Sequence, residues 1–263
     1  MNPAPWALVT GGAERLGREF CLAFARAGWQ VLCHYHRSSA QAQSTQAAVL
    51  ALGGRCVLVA QDLSVADGAS ALLDACWRET GSLPRCSVNN AAIFEADNAL
   101  TSSAAQMLAH VQTNTVAPLM LGNQLAARLQ DQPAAAEAHC VIHVLDQKVH
   151  NLNPDYFSYT VSKLALERSV ALQAQALAPR VRVCGLSPGL IYPSGAQTQD
   201  NFDQASQVNL LRRRIQPADV ARAAVFMAEN GGMTGCTLQV DNGQHLVALD
   251  RDVMFAISTE TKP

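Results

Sequence analysis

The chain has 263 residues, of which 49% are hydrophobic and 15% charged, so we expect one domain (1–263) with a sizeable buried core. A formal net charge of −2 offers no basic surface for nucleic acid or anionic lipid, and no apolar run approaches the ~20 residues of a membrane span. The N-terminus has no charged segment followed by a long apolar run, which predicts a cytoplasmic protein without a signal peptide. The eight cysteines form no C-x-x-C pair and are expected to be buried free thiols.

Short apolar runs alternate with Ala-, Leu- and Gln-rich segments of helical spacing. The runs predict strands at 6–10, 31–35, 56–60, 86–89, 139–145, 181–186 and 236–240. The segments between them predict helices at 15–28, 40–52, 65–80, 104–131, 156–178 and 217–229. This alternation indicates an α/β fold, with a doubly wound parallel sheet of about seven strands and helices on both faces. Ligands of such sheets bind beyond the carboxyl ends of the strands.

One long stretch, about 190–213, has no clear periodicity and is expected to be an irregular substrate loop or lid. It is followed by an arginine run, Arg212 to Arg214. We interpret this run as a solvated helix end in preference to a substrate contact.

The first strand leads into a glycine-rich turn, Thr10-Gly11-Gly12-Ala13-Glu14-Arg15-Leu16-Gly17, and a helix follows. Glycine permits a tight turn, and a helix start presents unpaired N–H groups and a positive dipole end to an anion. At the first strand-to-helix turn of an α/β chain, this pattern predicts a site for the phosphates of a dinucleotide, with contacts from Gly11, Arg15 and Leu16.

The second strand ends in Tyr35, His36, Arg37 and Ser38, with no acidic residue to hold a ribose 2′-hydroxyl. Arg37 and Ser38 can bind a 2′-phosphate by charge-assisted hydrogen bonds, and Arg15 is a second cation within reach. The cofactor predicted from this pattern is NADPH/NADP+ in preference to NADH. The alternative is that Arg37 merely ends a strand at the surface.

Two further strand ends are candidate cofactor contacts. Asp62 and Leu63 follow the third strand, where Asp62 could accept from an adenine amino group or could instead cap the next helix. Asn90, Ala91 and Ala92 follow the fourth strand, where small residues allow a cofactor to approach the backbone closely.

Tyr159 and Lys163 are four residues apart, so they lie on one face of a predicted helix. An ammonium group beside a phenol should lower the pKa of the phenol from about 10, and such a tyrosine can deliver a proton as hydride reaches an adjacent carbon. The spacing alone is a weak motif. It becomes specific because the glycine turn, the Asn-Asn-Ala element and a strand precede it in order.

With these motifs the chain resembles the short-chain dehydrogenase/reductase family over nearly its whole length, from Thr10 to Gly243. The resemblance implies a Rossmann-type fold and a homotetramer. It also implies Tyr159 as catalytic acid/base, Lys163 on the nicotinamide ribose, and Asn114 in a helix supporting a water relay. A further implied segment lines the nicotinamide after the sixth strand, and its residues are Ser187, Pro188, Gly189 and Leu190.

Departures from the common family pattern narrow the range of expected substrates. Arg15 stands where the family has glycine, and Asp146 stands where it has serine. Together with His36-Arg37-Ser38 and Phe94, they are similar to pteridine, dihydromonapterin and dihydrofolate reductases. That resemblance implies Phe94 stacking on a pterin and Arg15 contacting both pterin and cofactor. Asp146 with a pKa raised by burial could protonate a ring nitrogen, which serine could not.

Other interpretations remain open at this stage. The protein could be a carbonyl or quinone reductase of the same family, or a non-catalytic NADP-sensing protein, although intact Tyr159, Lys163 and Asn114 count against the latter. Phe94 could be a loop anchor, and Asp146 could serve only as a hydrogen-bond partner. His139 and His143 have metal-like spacing on one strand, but their apolar neighbours favour a core position, so no metal is predicted.

Overall fold

The computed structural model describes residues 4–130 and 138–257. Seven parallel strands form one sheet in the order β3-β2-β1-β4-β5-β6-β7. Their bounds are β1 Trp6–Val9, β2 Gln30–Tyr35, β3 Cys56–Ala60, β4 Cys86–Asn89, β5 His139–Val144, β6 Val181–Pro188 and β7 Thr237–Val240. All seven predicted strands and the Rossmann-type parallel sheet are therefore confirmed.

Helices cover both faces of this sheet. Their bounds are α1 Arg15–Arg26, α2 Ser39–Ala51, α3 Gly68–Thr80, α4 Ala104–Val111, α5 Ala117–Leu129, α6 Phe157–Leu177, α7 Gln199–Ala205, α8 Pro217–Glu229 and α9 Val253–Ala256. One-turn helices occur at Gln147–Val149 and Gln244–Leu246. In the described part of the chain, no helix is both long and apolar enough to cross a lipid bilayer.

Alternating residues of most strands supply two separate cores. In β1, Ala7 and Val9 face a cluster with α1 and α8, whereas Trp6 and Leu8 face a cluster with α3, α5 and α6. The central strands β1, β4, β5 and β6 are buried along almost their whole length, as expected for parallel strands covered on both faces, whereas the edge strand β7 is only partly buried. The helices on the two faces leave the carboxyl ends of the strands together at one edge of the sheet, where the polar residues of the site lie.

Three predicted elements need correction. The predicted helix 104–131 is divided by a π-helical turn at Gln112–Val116, and its last position lies outside the described residues. The stretch 190–213 is not wholly irregular, because Thr198 accepts from the amide of Asn201 and caps α7. The arginine run is exposed as expected, but it lies in the connection between α7 and α8 instead of at a helix end.

The cysteine prediction is confirmed at seven positions. All eight cysteines are free, and Cys236 alone is exposed. His143 is buried and hydrogen-bonded to the side chains of Asn89 and Gln173, and His139 is partly buried and hydrogen-bonded to the Pro84 carbonyl. Residues 4–130 and 138–257 contain no group of His, Cys, Asp and Glu side chains suited to a metal ion.

Candidate active site

A cavity of about 440 Å³ opens at the carboxyl ends of the strands. Of the predicted cofactor residues, those that line it are Arg15, Leu16, Asn90, Ala92, Lys163, Pro188, Gly189 and Leu190. Of the predicted catalytic and substrate residues, Asp146, Tyr159 and Phe94 line it as well. The remaining predicted cofactor residues lie outside this cavity: Gly11, Tyr35, His36, Arg37, Ser38, Asp62, Leu63 and Ala91.

The glycine turn leaves an open backbone surface at the start of α1. Gly11 has φ +62°, and a Cβ there would lie 3.1 Å from the Cα of Ala91. At Gly17 a Cβ would overlap the carbonyl oxygen of Gly11, so only glycine lets helix and turn approach this closely. Glu14, at the N-cap of α1, makes no side-chain capping bond. The first N–H groups of the helix therefore have no side-chain cap at Glu14, as an anion site at a helix start requires.

His34 and Thr10 fasten this turn, and neither is among the site residues predicted from sequence. The Gly11 amide donates to Nδ1 of His34 at 3.1 Å, and Nε2 of His34 donates to the Gln61 carbonyl at 2.9 Å. Thr10 Oγ1 accepts from the amides of Asn90 and Ala91, both at 2.9 Å. Burial lowers the pKa of His34 to about 4, so the ring is neutral. The position of His34 in the otherwise apolar run of β2 was the feature of the sequence that could have indicated its role.

At the end of β2, His36 and Arg37 are exposed to solvent. The Ser38 hydroxyl donates to Glu14 at 3.2 Å. A carboxylate from the glycine turn therefore reaches the end of β2, although the sequence of that strand end has no acidic residue.

After β3, Asp62 accepts from both the amide and the hydroxyl of Ser64, which lowers its pKa. The alternative that Asp62 caps the next helix is wrong, because Asp67 stands at the N-cap of α3. Leu63 is buried in the core.

The side chains of Asp146 and Tyr159 meet inside the cavity. The Tyr159 hydroxyl donates to Oδ2 of Asp146 at 2.9 Å, and the Lys148 amide donates to Oδ1 at 2.9 Å. Ser187 at the end of β6 donates to the Asp146 carbonyl and fixes its backbone. Burial raises the pKa of Asp146 above its ordinary value, which favours the protonated acid.

The expected lowering of the Tyr159 pKa is wrong for this structure. Burial, followed by the neighbouring Asp146 carboxylate, raises the pKa of Tyr159 well above its ordinary value. The ammonium of Lys163 lies 5.7 Å from the ring centroid and donates to the Val144 carbonyl at 2.6 Å. Burial also lowers the pKa of Lys163 to about 8. The Lys163 ammonium is desolvated and bound to the Val144 carbonyl, and it does not offset the effects of burial and Asp146 on the pKa of Tyr159.

Asn114 lies behind the cavity in the π-helical turn between α4 and α5. Its amide nitrogen donates to the Ile93 carbonyl and to Ser162 Oγ, each at 3.0 Å, and its oxygen accepts from the Ile93 amide. Such turns commonly occur at functional sites. Here Asn114 fixes the backbone next to Phe94.

Phe94 and Arg15 both line the cavity but make separate sets of contacts. The Phe94 ring is 38% exposed, stacks on Tyr156 with centroids 4.1 Å apart, and meets Tyr159 edge-on at 4.6 Å. Arg15 donates to the Pro193 carbonyl at 2.8 Å, and its guanidinium lies 5.2 Å from the Tyr192 ring centroid. Arg15 thereby connects the start of α1 to the segment after β6.

A family model described as enoyl-(acyl carrier protein) reductase matches residues 11–245. The chain belongs to the short-chain dehydrogenase/reductase family. It is 30% identical to pteridine reductase 1 of Leishmania tarentolae over 285 residues, which covers 92% of this chain and 97% of that protein. The family match and the parallel sheet agree on a Rossmann-type oxidoreductase.

Two solved structures are similar over almost the whole chain. The FolM alternative dihydrofolate reductase 1 of Brucella canis, complexed with NADP, has a TM-score of 0.86 and 31% identity, covering 94% of this chain and 96% of that one. LugOII, a promiscuous reductase that catalyses a keto-reduction in lugdunomycin biosynthesis, has a TM-score of 0.83 and 27% identity, covering 93% and 100%. These relatives include both pterin- or folate-reducing and ketone-reducing enzymes.

Proposed function

We propose that the protein is a pteridine-type reductase that uses NADPH to reduce a C=N bond of a dihydropteridine, dihydromonapterin, biopterin or dihydrofolate. The observation that carries this proposal is the hydrogen bond between Tyr159 and Asp146, whose pKa is raised by burial, at the mouth formed by Phe94. The 30% identity to a pteridine reductase and the similarity to a dihydrofolate reductase complexed with NADP support it independently.

The residues present fit NADPH. Gly11 and Gly17 carry no side chain, and the tight packing around them has no room for one, so the turn presents backbone to a pyrophosphate. The start of α1 also has no side-chain cap. Arg37 is exposed at the end of β2 and is proposed to bind a 2′-phosphate, and Ser38 would join it by exchanging its hydrogen bond to Glu14 for one to the phosphate. The other cofactor contacts we propose are Gly11, Arg15, Leu16, Tyr35, His36, Asp62, Leu63, Asn90, Ala91, Ala92, Lys163, Pro188, Gly189 and Leu190.

NADPH, when bound, supplies the hydride. Asp146 in its protonated form is proposed to donate a proton to the ring nitrogen of the substrate, because burial raises its pKa and so favours the form that carries a proton. Tyr159, which donates its hydroxyl hydrogen to Asp146, holds the carboxyl group and can return a proton to it. Lys163 is proposed to hold the nicotinamide ribose, and Asn114 to shape the loop below the substrate.

The substrate ring is proposed to lie on the exposed face of Phe94, whose other face is taken by Tyr156. Offset stacking on an aromatic side chain suits a flat heteroaromatic ring. Arg15 is proposed to contact substrate and cofactor phosphate after releasing the Pro193 carbonyl.

A carbonyl or quinone reductase is the second candidate function. The protonated phenol of Tyr159 favours it, since a phenol can protonate a carbonyl oxygen without help from Asp146. The similarity to a ketoreductase is in keeping with it.

Spectrophotometric NADPH oxidation with biopterin, dihydrofolate and dihydromonapterin, beside a panel of ketones and quinones, separates the two candidates. We expect turnover of a pterin, with NADPH preferred over NADH. Turnover of ketones alone would remove the pterin assignment, and a preference for NADH would remove Arg37 and Ser38 as phosphate ligands. No turnover of any substrate would favour an NADP-sensing protein.

We also propose a cytoplasmic homotetramer assembled through the predicted helices 104–131 and 156–178, which correspond to α4, α5 and α6, and the C-terminal strand. Exposed leucines on these helices, Leu108 and Leu172, are each 68% exposed in the single chain and support such contacts. Sedimentation velocity tests this proposal, and a monomer at micromolar concentration would contradict it.

A further inference from the structure

The C-terminal segment 251–256, here named the strap, is an unassigned wall of the active-site cavity. Asp252 and Val253 line that cavity together with Asp146 and Phe94. The strap is fastened by Asp155, which receives three hydrogen bonds from the Arg251 guanidinium and one, at 2.8 Å, from the Asp252 amide. Its place beside the site is therefore defined by specific contacts.

A buried lysine joins the strap to the loop of Asp146. The side chain of Lys148 is 3% exposed, and its ammonium donates to Asp252 at 2.9 Å and to Asn153 at 2.6 Å. The backbone amide of the same lysine donates to Oδ1 of Asp146. One residue thus connects Asp252 to the carboxyl group of Asp146.

The strap also reaches the aromatic side of the cavity. The Tyr156 ring lies between Phe94, at 4.1 Å, and Phe255 of the strap, at 6.1 Å, with interplanar angles of 21° and 16°. The Tyr156 hydroxyl donates to the sulfur of Met254 at 3.5 Å. The ring that supports Phe94 is therefore itself supported by the strap.

We propose that Asp252 is a positioning residue for the reduction: by neutralising Lys148 it fixes the loop of Asp146 and keeps that carboxyl group able to deliver its proton. This inference rests on the proposed function, in which Asp146 is the acid. A buried ammonium without its counterion would both displace the loop and favour the ionised form of the acid.

The sign of the effect follows from the groups that face Asp146. They are Lys148 on its own loop, Tyr159 and Lys163 on α6, and Asp252 on the strap. Lys148 lowers the pKa of Asp146 and Asp252 raises it. Removing the charge of Asp252 therefore lowers the pKa of the acid, and removing the charge of Lys148 raises it.

The test compares Asp252→Asn, Lys148→Gln, the double variant and a matched control, Asp250→Asn, which removes an exposed charge next to the strap. Steady-state kcat/KM for dihydrobiopterin is measured against pH. We expect the alkaline fall in Asp252→Asn to move down by about one pH unit, with kcat about tenfold lower. Lys148→Gln should move it upward, and the double variant should lie between the two. Shifts in the same direction, or none, would overturn the proposal.

Hydrogen exchange of the peptide spanning residues 146–156 gives a readout that needs no substrate. We expect exchange at the Lys148 amide to be at least about tenfold faster in Asp252→Asn than in Asp250→Asn. Unchanged exchange would refute the positioning role whichever substrate is reduced. Faster exchange in an enzyme that turns over only ketones would refute the proposed function and leave the strap contact standing. Circular dichroism shows whether each variant is folded.

Discussion

Replacing Asp146 by asparagine tests the proton donor with little change in shape. The substituted amide side chain would keep an oxygen to accept from the Lys148 amide, so the loop after β5 should stay in place. It would have no acidic proton to transfer to a ring nitrogen. General acid catalysis contributes ~10²- to 10⁴-fold, so pterin kcat should fall by about 100-fold or more, or about 3 kcal/mol of transition-state stabilisation.

The pH dependence of kcat/KM gives a second test of Asp146 as the proton donor. In the proposed mechanism only protonated Asp146 donates, so kcat/KM should fall as pH rises through its raised pKa. In Asp146→Asn that fall should disappear. Removing the carboxylate also lowers the pKa of Tyr159, because Asp146 is one cause of its increase.

The assay is NADPH oxidation with dihydrobiopterin from pH 5 to 9, beside a ketone and a fluorescence titration of NADPH. NADPH affinity should change by less than about twofold, since Asp146 contacts no proposed phosphate site. Asp146→Ser should impair pterin reduction as severely while retaining ketone turnover. An unchanged pterin kcat, or an unchanged alkaline fall in Asp146→Asn, would remove Asp146 from the proton pathway.

Three further predictions concern other parts of the molecule. Tyr159→Phe should lower pterin kcat by about 100-fold, and a loss under tenfold would confine Tyr159 to holding Asp146. Gly17→Ala should raise the KM for NADPH more than tenfold, because its Cβ overlaps backbone, whereas the uncrowded Gly232→Ala should not. Burial lowers the pKa of both His34 and His143 from 6.5 to about 4, so the unfolded chain binds more protons within this window. The free energy of unfolding should therefore fall as pH drops from 6.5 to 4, by about 3 kcal/mol per histidine, in urea titrations; a flat profile would contradict their burial as neutral rings.

Local sequence patterns were sufficient to predict the fold, because each strand and helix is specified by the residues within it. Most strands are short, largely apolar runs, and Ala- and Leu-rich helical segments separate them, so their alternation predicts the parallel sheet. The Tyr159–Lys163 spacing likewise required only the geometry of one helix. The departures occurred where local signals compete, as at the π-helical turn that contains Asn114 and at the capped helix α7.

The sequence by itself determined the α/β alternation, the glycine turn and the residues at strand ends from which a reductase could be inferred. Only the tertiary structure decided which distant side chains meet. Glu14 reaches Ser38, and Lys148 pairs with Asp252 across 104 positions, because strand order and register bring these loops to one edge of the sheet. The tertiary structure also decided which groups of the site hold a proton. The pKa of Tyr159 depends on burial and on the Asp146 carboxylate, and neither is visible in the spacing of a motif.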